Sequence, residues 1–139
     1  MKVLFLCIHN ADRSQMAEAF FNRMTGGLMT AYSAGIKPVE NITLPVIQVM
    51  REAGLDMDSL QPKLMTLEML EDADRIIAIG SGVNIWLSDF LPIEAWQIEC
   101  PSGKPLEKVR QIRNEIKTRV EDLIVELTRE EFYKVLTSP

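Results

Sequence analysis

Residues 3–7, Val-Leu-Phe-Leu-Cys, form an apolar run without alternation, and no other feature of the chain restricts its fold as tightly. A strand with one wet face alternates apolar and polar side chains, so an unbroken apolar run must be covered on both faces. Residues 75–79 repeat the pattern. Between the two runs the apolar period changes. Met16, Ala19, Phe20, Phe21 and Met24 follow Arg13 at helical spacing, with Ser14 as a polar starter and Gly26-Gly27 as a stop. Residues 28–33, running into Ala34-Gly35, read as a second strand, and 44–53 as a second helix that tolerates Pro45 in its first turn and closes at Gly54. A short helix is expected at 67–70 and a fourth strand at 95–98. After the breaker cluster at 101–105, Leu106, Val109, Ile112, Ile116, Val120, Leu123, Ile124 and Leu127 recur every three or four positions, which predicts an amphipathic helix of about 22 residues. Its charged face is solvated. Phe132, Val135 and Leu136 either prolong the stripe or form a docking tail, so 128–139 reads as a C-terminal helical extension.

Strands alternating with helices pair in parallel, which makes this an α/β protein, a sheet sandwiched between helices. At 139 residues, with no linker, repeat or low-complexity stretch, residues 1–139 are expected to form a single domain.

Two cysteines and one histidine limit the chemistry. A zinc module of four cysteines, or of two cysteines and two histidines, cannot be assembled from them. Nor do Cys7 and Cys100, 93 positions apart, make a disulfide framework. Cys7, His9, Asp12 and Cys100 could hold a metal by ligand type. A loop curled around an anion, however, turns N–H groups inward rather than a tetrahedron of side chains, so no metal is expected. The formal net charge of −5, from 15 basic against 20 acidic residues, disfavours nucleic acid as a partner but leaves room for a local basic pocket. The apolar start is too short for a signal core or a membrane span, so no membrane partner and a cytoplasmic location with reduced thiols are expected. Trp96 and Trp86 read as packing.

In an open parallel sheet, ligands bind beyond the carboxyl ends of the strands, where helix N-termini also point. The first strand delivers Cys7 to that edge, followed by Ile8, His9, Asn10, Ala11 and Asp12, then Arg13 and Ser14 at a helix start. Backbone N–H groups of such a loop form a concave anion nest, and the helix dipole adds positive charge. Arg13 can clamp two oxygens of a tetrahedral oxyanion while the thiol below, pushed toward thiolate, attacks the central atom. A hydrogen bond from the Ser14 hydroxyl would stabilise the sulfur. His9 either tunes the thiolate and grips substrate or sits on the loop surface.

The run from Cys7 to Glu18, Cys-Ile-His-Asn-Ala-Asp-Arg-Ser-Gln-Met-Ala-Glu, resembles the signature loop and following helix of the low-molecular-weight protein tyrosine phosphatase superfamily, and Arg-Ser-Gln-Met-Ala-Glu is more similar to its arsenate reductase branch. The likeness continues through Ser33-Ala34-Gly35, Asp74 to Ile77, Trp96 to Pro101 and the last helix, covering roughly residues 2–127. It implies a three-layer sandwich with a four-stranded parallel sheet in order 2-1-3-4, no bound cofactor or metal, Cys7 as nucleophile and Arg13 as oxyanion clamp. It also implies that Asn10 holds the loop in its strained shape, helped by Ser14 and Ser33.

Three departures bear on mechanism. Where the family places an aspartate general acid before a proline, this chain has Cys100 before Pro101. Glu99 is adjacent but points the other way in an extended chain. The cysteines that thioredoxin-coupled relatives carry after the third strand are missing from 79–84. Asp12 sets a carboxylate beside an anion nest and opposes a dianion unless it points outward or pairs with a base.

The expectation is therefore an arsenate-reductase-like enzyme that takes a small oxyanion, arsenate or phosphate. An external thiol donor, thioredoxin or glutaredoxin with glutathione, would close the cycle, and Cys100 would resolve Cys7 through a disulfide, replace the acid or merely pack. The alternatives are a phosphatase acting on phosphotyrosine through a Cys7 phosphocysteine, and a non-catalytic oxyanion-binding or redox-sensing domain.

Overall fold

The computed structural model describes all residues except 81, 83–88 and 90. Trp86 lies outside the described residues. Four strands, β1 (Lys2–Cys7), β2 (Thr30–Gly35), β3 (Arg75–Ile79) and β4 (Ile93–Trp96), form one sheet in the order β2-β1-β3-β4. Every neighbouring pair is parallel. The helices are α1 (Arg13–Thr25), α2 (Leu44–Glu52), α3 (Leu67–Asp72) and α4 (Leu106–Thr137).

The apolar runs are explained by coverage on both sides. Val3 and Phe5 of β1 face the larger core with Phe21 of α1, Val49 of α2 and Ile116 of α4. Leu4 and Leu6 point the opposite way, against Ala34, Ile76, Ala78 and Leu70 of α3. The sheet is thus the middle of three layers. Phe5 anchors the larger core, with its ring 6.1 Å from Phe21 at an edge-on 67° and 5.7 Å from Trp96. Ion pairs tie the outer layers down. Glu52 of α2 takes Arg110 and Arg113 of α4 at 2.8 and 3.3 Å, and Arg75 of β3 reaches Glu126 and Glu130 of α4 at 3.5 and 3.2 Å.

Several boundaries differ from those read off the sequence, among them α3, which runs to Asp72 rather than ending at 70. β2 starts at Thr30 rather than at 28 and ends at Gly35, with Ala34 and Gly35 paired to Leu6 and Cys7. β4 lies at 93–96, with Ile93 opposite Ile76, and residues 97–100 leave the sheet to wall a cavity. α4 runs 32 residues, so the expected helix of about 22 residues and the expected C-terminal helical extension are one continuous helix. Its last turns contain neither Gly nor Pro and carry a Lys134–Glu131 pair at 3.3 Å, so the helix continues past the core. Buried contacts end at Leu127, and Phe132, Val135 and Leu136 are exposed. No helix of the described residues is long and apolar enough to cross a membrane.

The core role of α4 therefore stops one turn before its exposed tail. Leu127→Ala is expected to cost ~2–5 kcal/mol and Leu136→Ala less than ~0.5 kcal/mol, read from urea denaturation midpoints.

Candidate active site

The loop between β1 and α1 is shaped by one residue. Asn10 has φ 51°, the only positive φ at a non-glycine residue among the described residues. Asparagine is among the few side chains that tolerate this left-handed region. Its fully buried side chain fixes the turn. Asn10 Nδ2 donates to Ser14 Oγ at 2.7 Å, while Oδ1 accepts from the backbone N–H of Lys63 and from Gln15 Nε2, both at 2.9 Å. Gln15 Nε2 also reaches the Asn10 and Gln61 carbonyls at 3.1 and 3.0 Å.

The loop carbonyls are drawn outward. Those of Ile8, His9 and Ala11 accept from the N–H groups of Lys37, Val39 and Thr43 at 2.8, 3.2 and 3.2 Å. A trans peptide sets N–H opposite C=O, so the N–H groups of His9, Asn10 and Asp12 turn to the concave side. Gly35 permits this packing, since a Cβ there would stand 2.8 Å from the Ile8 carbonyl oxygen and 3.0 Å from Asn10 Cβ.

Cys7 Sγ lies 2.8 Å from Ser14 Oγ. That hydroxyl already accepts from Asn10, so its own proton is free to point at the sulfur. Burial nevertheless pushes the Cys7 thiol above its ordinary value, and the Asp12 carboxylate adds to the rise. Hydrogen bonds from Ser14 and from the Asn10 backbone oppose it without cancelling it. This corrects the expectation of a thiol pushed toward thiolate: desolvation of the strand end outweighs the loop donors.

Arg13 opens α1. Its Nη1 donates to the Ile98 carbonyl at 2.7 Å, and its Nε lies 3.6 Å from Asp12 Oδ1 with no hydrogen-bond partner although it is buried. Gly80, with φ 91°, ends β3 against this guanidinium, and a Cβ there would approach Nη1 to 2.5 Å. Asp12, rather than the expected Ser14, caps the helix by accepting from the Arg13 N–H.

One cavity of about 540 Å³ gathers these groups. It is walled by Cys7, Ile8, His9, Asp12 and Arg13 of the loop, by Gly80, and by Gln97, Ile98, Glu99 and Cys100. Cys7 is buried, Cys100 is exposed, and both are free thiols. Glu99 faces Lys104 and Lys108 at 3.6 and 3.5 Å. Among the described residues no group of three or more His, Cys, Asp or Glu could hold a metal ion.

Ser33 makes none of the hydrogen bonds that hold the loop among the described residues. Its hydroxyl donates to Glu18 at 3.0 Å, and Glu18 in turn lies 3.6 Å from Lys63, whose backbone holds Asn10. The expected help from Ser33 arrives at two removes. Gln15, Lys63, Gly35 and Gly80 were given no site role in the sequence reading. Gln15 carried a signal, a polar residue directly after the loop, but only the fold shows that it is buried.

The opposed influences on Cys7 predict opposite shifts in reactivity. Ser14→Ala removes a donor to the thiolate and should move the pH profile of iodoacetamide alkylation of Cys7 to higher pH, and Asp12→Asn should move it lower. Shifts in the same direction would contradict this account.

The family profile described as low molecular weight phosphotyrosine protein phosphatase matches residues 2–133. The glutaredoxin arsenate reductase of Synechocystis is 34% identical over 131 residues, 91% of this chain and 98% of that protein. The crystal structure of an arsenate reductase from Archaeoglobus fulgidus is 35% identical with a TM-score of 0.75, over 88% of this chain and 98% of that one. An arginine phosphatase from Geobacillus stearothermophilus superposes with a TM-score of 0.84 at 23% identity, over 95% of this chain and 96% of that one, a likeness of fold alone.

Proposed function

The chain belongs to the low molecular weight phosphotyrosine protein phosphatase family, and from that premise we propose that it is an arsenate-reductase-like enzyme with Cys7 as nucleophile and Arg13 as oxyanion clamp. The observation that carries the reading is the second thiol: Cys100 lines the same cavity as Cys7, in the position where the phosphatase pattern requires a carboxylic acid. A thiol is a poor proton donor to an ester oxygen but a competent nucleophile toward sulfur.

The chemistry then runs in two steps. The Cys7 thiolate attacks arsenic, and one arsenate oxygen leaves as water after protonation. A second thiolate attacks Cys7 Sγ, the S–As bond breaks with its electron pair passing to arsenic, and As(V) becomes As(III) while two sulfurs are oxidised to a disulfide. Cys100 is our candidate for the second thiol, and an external thiol donor, glutaredoxin with glutathione or thioredoxin, returns both cysteines to the reduced state. Arg13 Nε, buried and unpartnered, and the inward N–H groups supply donors for the oxyanion.

Paired assays separate this reading from a phosphatase. Arsenate-dependent thiol consumption with glutaredoxin or thioredoxin should vanish in Cys7→Ser and fall at least ~10²-fold in Cys100→Ser. Cys100→Asp should instead raise turnover of para-nitrophenyl phosphate, in the ~10²–10⁴-fold range of a restored general acid. High phosphatase activity in the wild type, without arsenate turnover, would overturn the reading.

A further inference from the structure

We infer that Asp12 is the specificity residue of the site, selecting free inorganic oxyanions, which keep a hydroxyl, over phosphate monoesters, which do not. The inference rests on the oxyanion chemistry proposed above and names which oxyanions the loop accepts.

The carboxylate of Asp12 is largely buried, with a side-chain exposure of 13%, yet it belongs to the cavity wall that also holds Cys7. One of its oxygens, Oδ1, is committed to the Arg13 N–H and faces Arg13 Nε. The helix cap thereby fixes the carboxylate in place beside the anion site. A carboxylate only accepts hydrogen bonds. Whatever sits in the cavity must offer it a donor or suffer acceptor-to-acceptor repulsion.

The surrounding charges do not relieve that demand. On the loop the cavity groups are Cys7, His9 and Arg13, and from the segment after β4 they are Glu99 and Cys100. Lys104 and Lys108 pair with Glu99 at 3.6 and 3.5 Å and are not among the residues that wall the cavity. Arg13 is therefore the one Lys or Arg in the described wall, and Nη1 is already spent on the Ile98 carbonyl. With the Asp12 carboxylate in the wall, a doubly charged ligand brings like charge against it.

Ligand chemistry then decides. Inorganic phosphate or arsenate keeps at least one hydroxyl at neutral pH, which can donate to Asp12 while its other oxygens take Arg13 and the loop N–H groups. A monoester above its second ionisation, near pH ~6, presents three acceptor-only oxygens. A site built around a hydroxyl discriminates strongly against an analogue without one. Asn at position 12 would keep the cap oxygen and turn an N–H donor to the ligand.

The test is calorimetric binding of inorganic phosphate and of phenyl phosphate at pH 7.5 to Cys7→Ser protein carrying either Asp12 or Asp12→Asn. Asp12→Asn should strengthen phenyl phosphate binding about tenfold or more while changing inorganic phosphate by less than about threefold. With Asp12 in place, phenyl phosphate should also bind better as pH falls through ~6, a dependence that Asp12→Asn should flatten. Equal gains for both ligands would show that Asp12 acts by charge alone, and no change would show that it does not face the ligand; either result overturns the inference. Asp12→Ser, which retains a capping oxygen but lacks reach, guards against a folding artefact and should shift the ratio in the same direction. Should the wild type show this selectivity yet consume no thiol with arsenate, the proposed reductase activity fails and the role of Asp12 stands.

Discussion

The active-site loop depends on a single buried amide. Asn10 sits at φ 51°, a conformation that costs a non-glycine residue on the order of 1 kcal/mol or more, and it persists because its surroundings determine it from several sides. Ser14, Gln15 and the Lys63 backbone all bond its side chain. The same hydrogen bond that holds the turn sets the direction of the Ser14 hydroxyl, and with it the solvation of the nucleophilic sulfur. Backbone shape and thiol chemistry are therefore one network. A change at Gln15, which does not line the cavity, acts on the sulfur through Asn10.

The layered fold explains why the loop can be so tightly drawn. β1 is the inner strand between β2 and β3, held by β3 over Val3–Leu6 and by β2 as far as Cys7, so the chain is placed by two ladders up to the residue before the nucleophile and by one at it. β2 then contributes Gly35, against which the loop packs, and β3 contributes Gly80, against which the Arg13 guanidinium lies. Gly35 ends β2 and Gly80 follows β3, and each lacks a side chain at the point of closest approach. Those glycines are sites of contact rather than interruptions of the strands.

That distinction marks what was legible in the sequence. Apolar runs, helical periods and the Cys7-to-Arg13 spacing depend on local pattern, and they placed the strands, the helices and the loop. Gly35 ends β2 as local propensity suggests, but its close packing against Ile8 and Asn10 is a tertiary contact that no local pattern shows. The direction of the Cys7 shift was misread for a similar reason. Loop donors and a helix start can be seen in the sequence, but the depth at which the sulfur is desolvated is a property of packing. Ser33 matched a pattern, yet its hydroxyl is turned to Glu18, a buried carboxylate that the helical period gave no reason to place inside.

The two departures at positions 12 and 100 acquire a common sense once both line one cavity. A phosphatase needs an acid over the leaving group and a wall that welcomes a dianion. This chain supplies a thiol at the first place and a carboxylate at the second. Either change alone would merely weaken ester hydrolysis. Together they disfavour the ester as ligand and remove the proton donor for its leaving group, while a small oxyanion that brings its own hydroxyl meets neither obstacle.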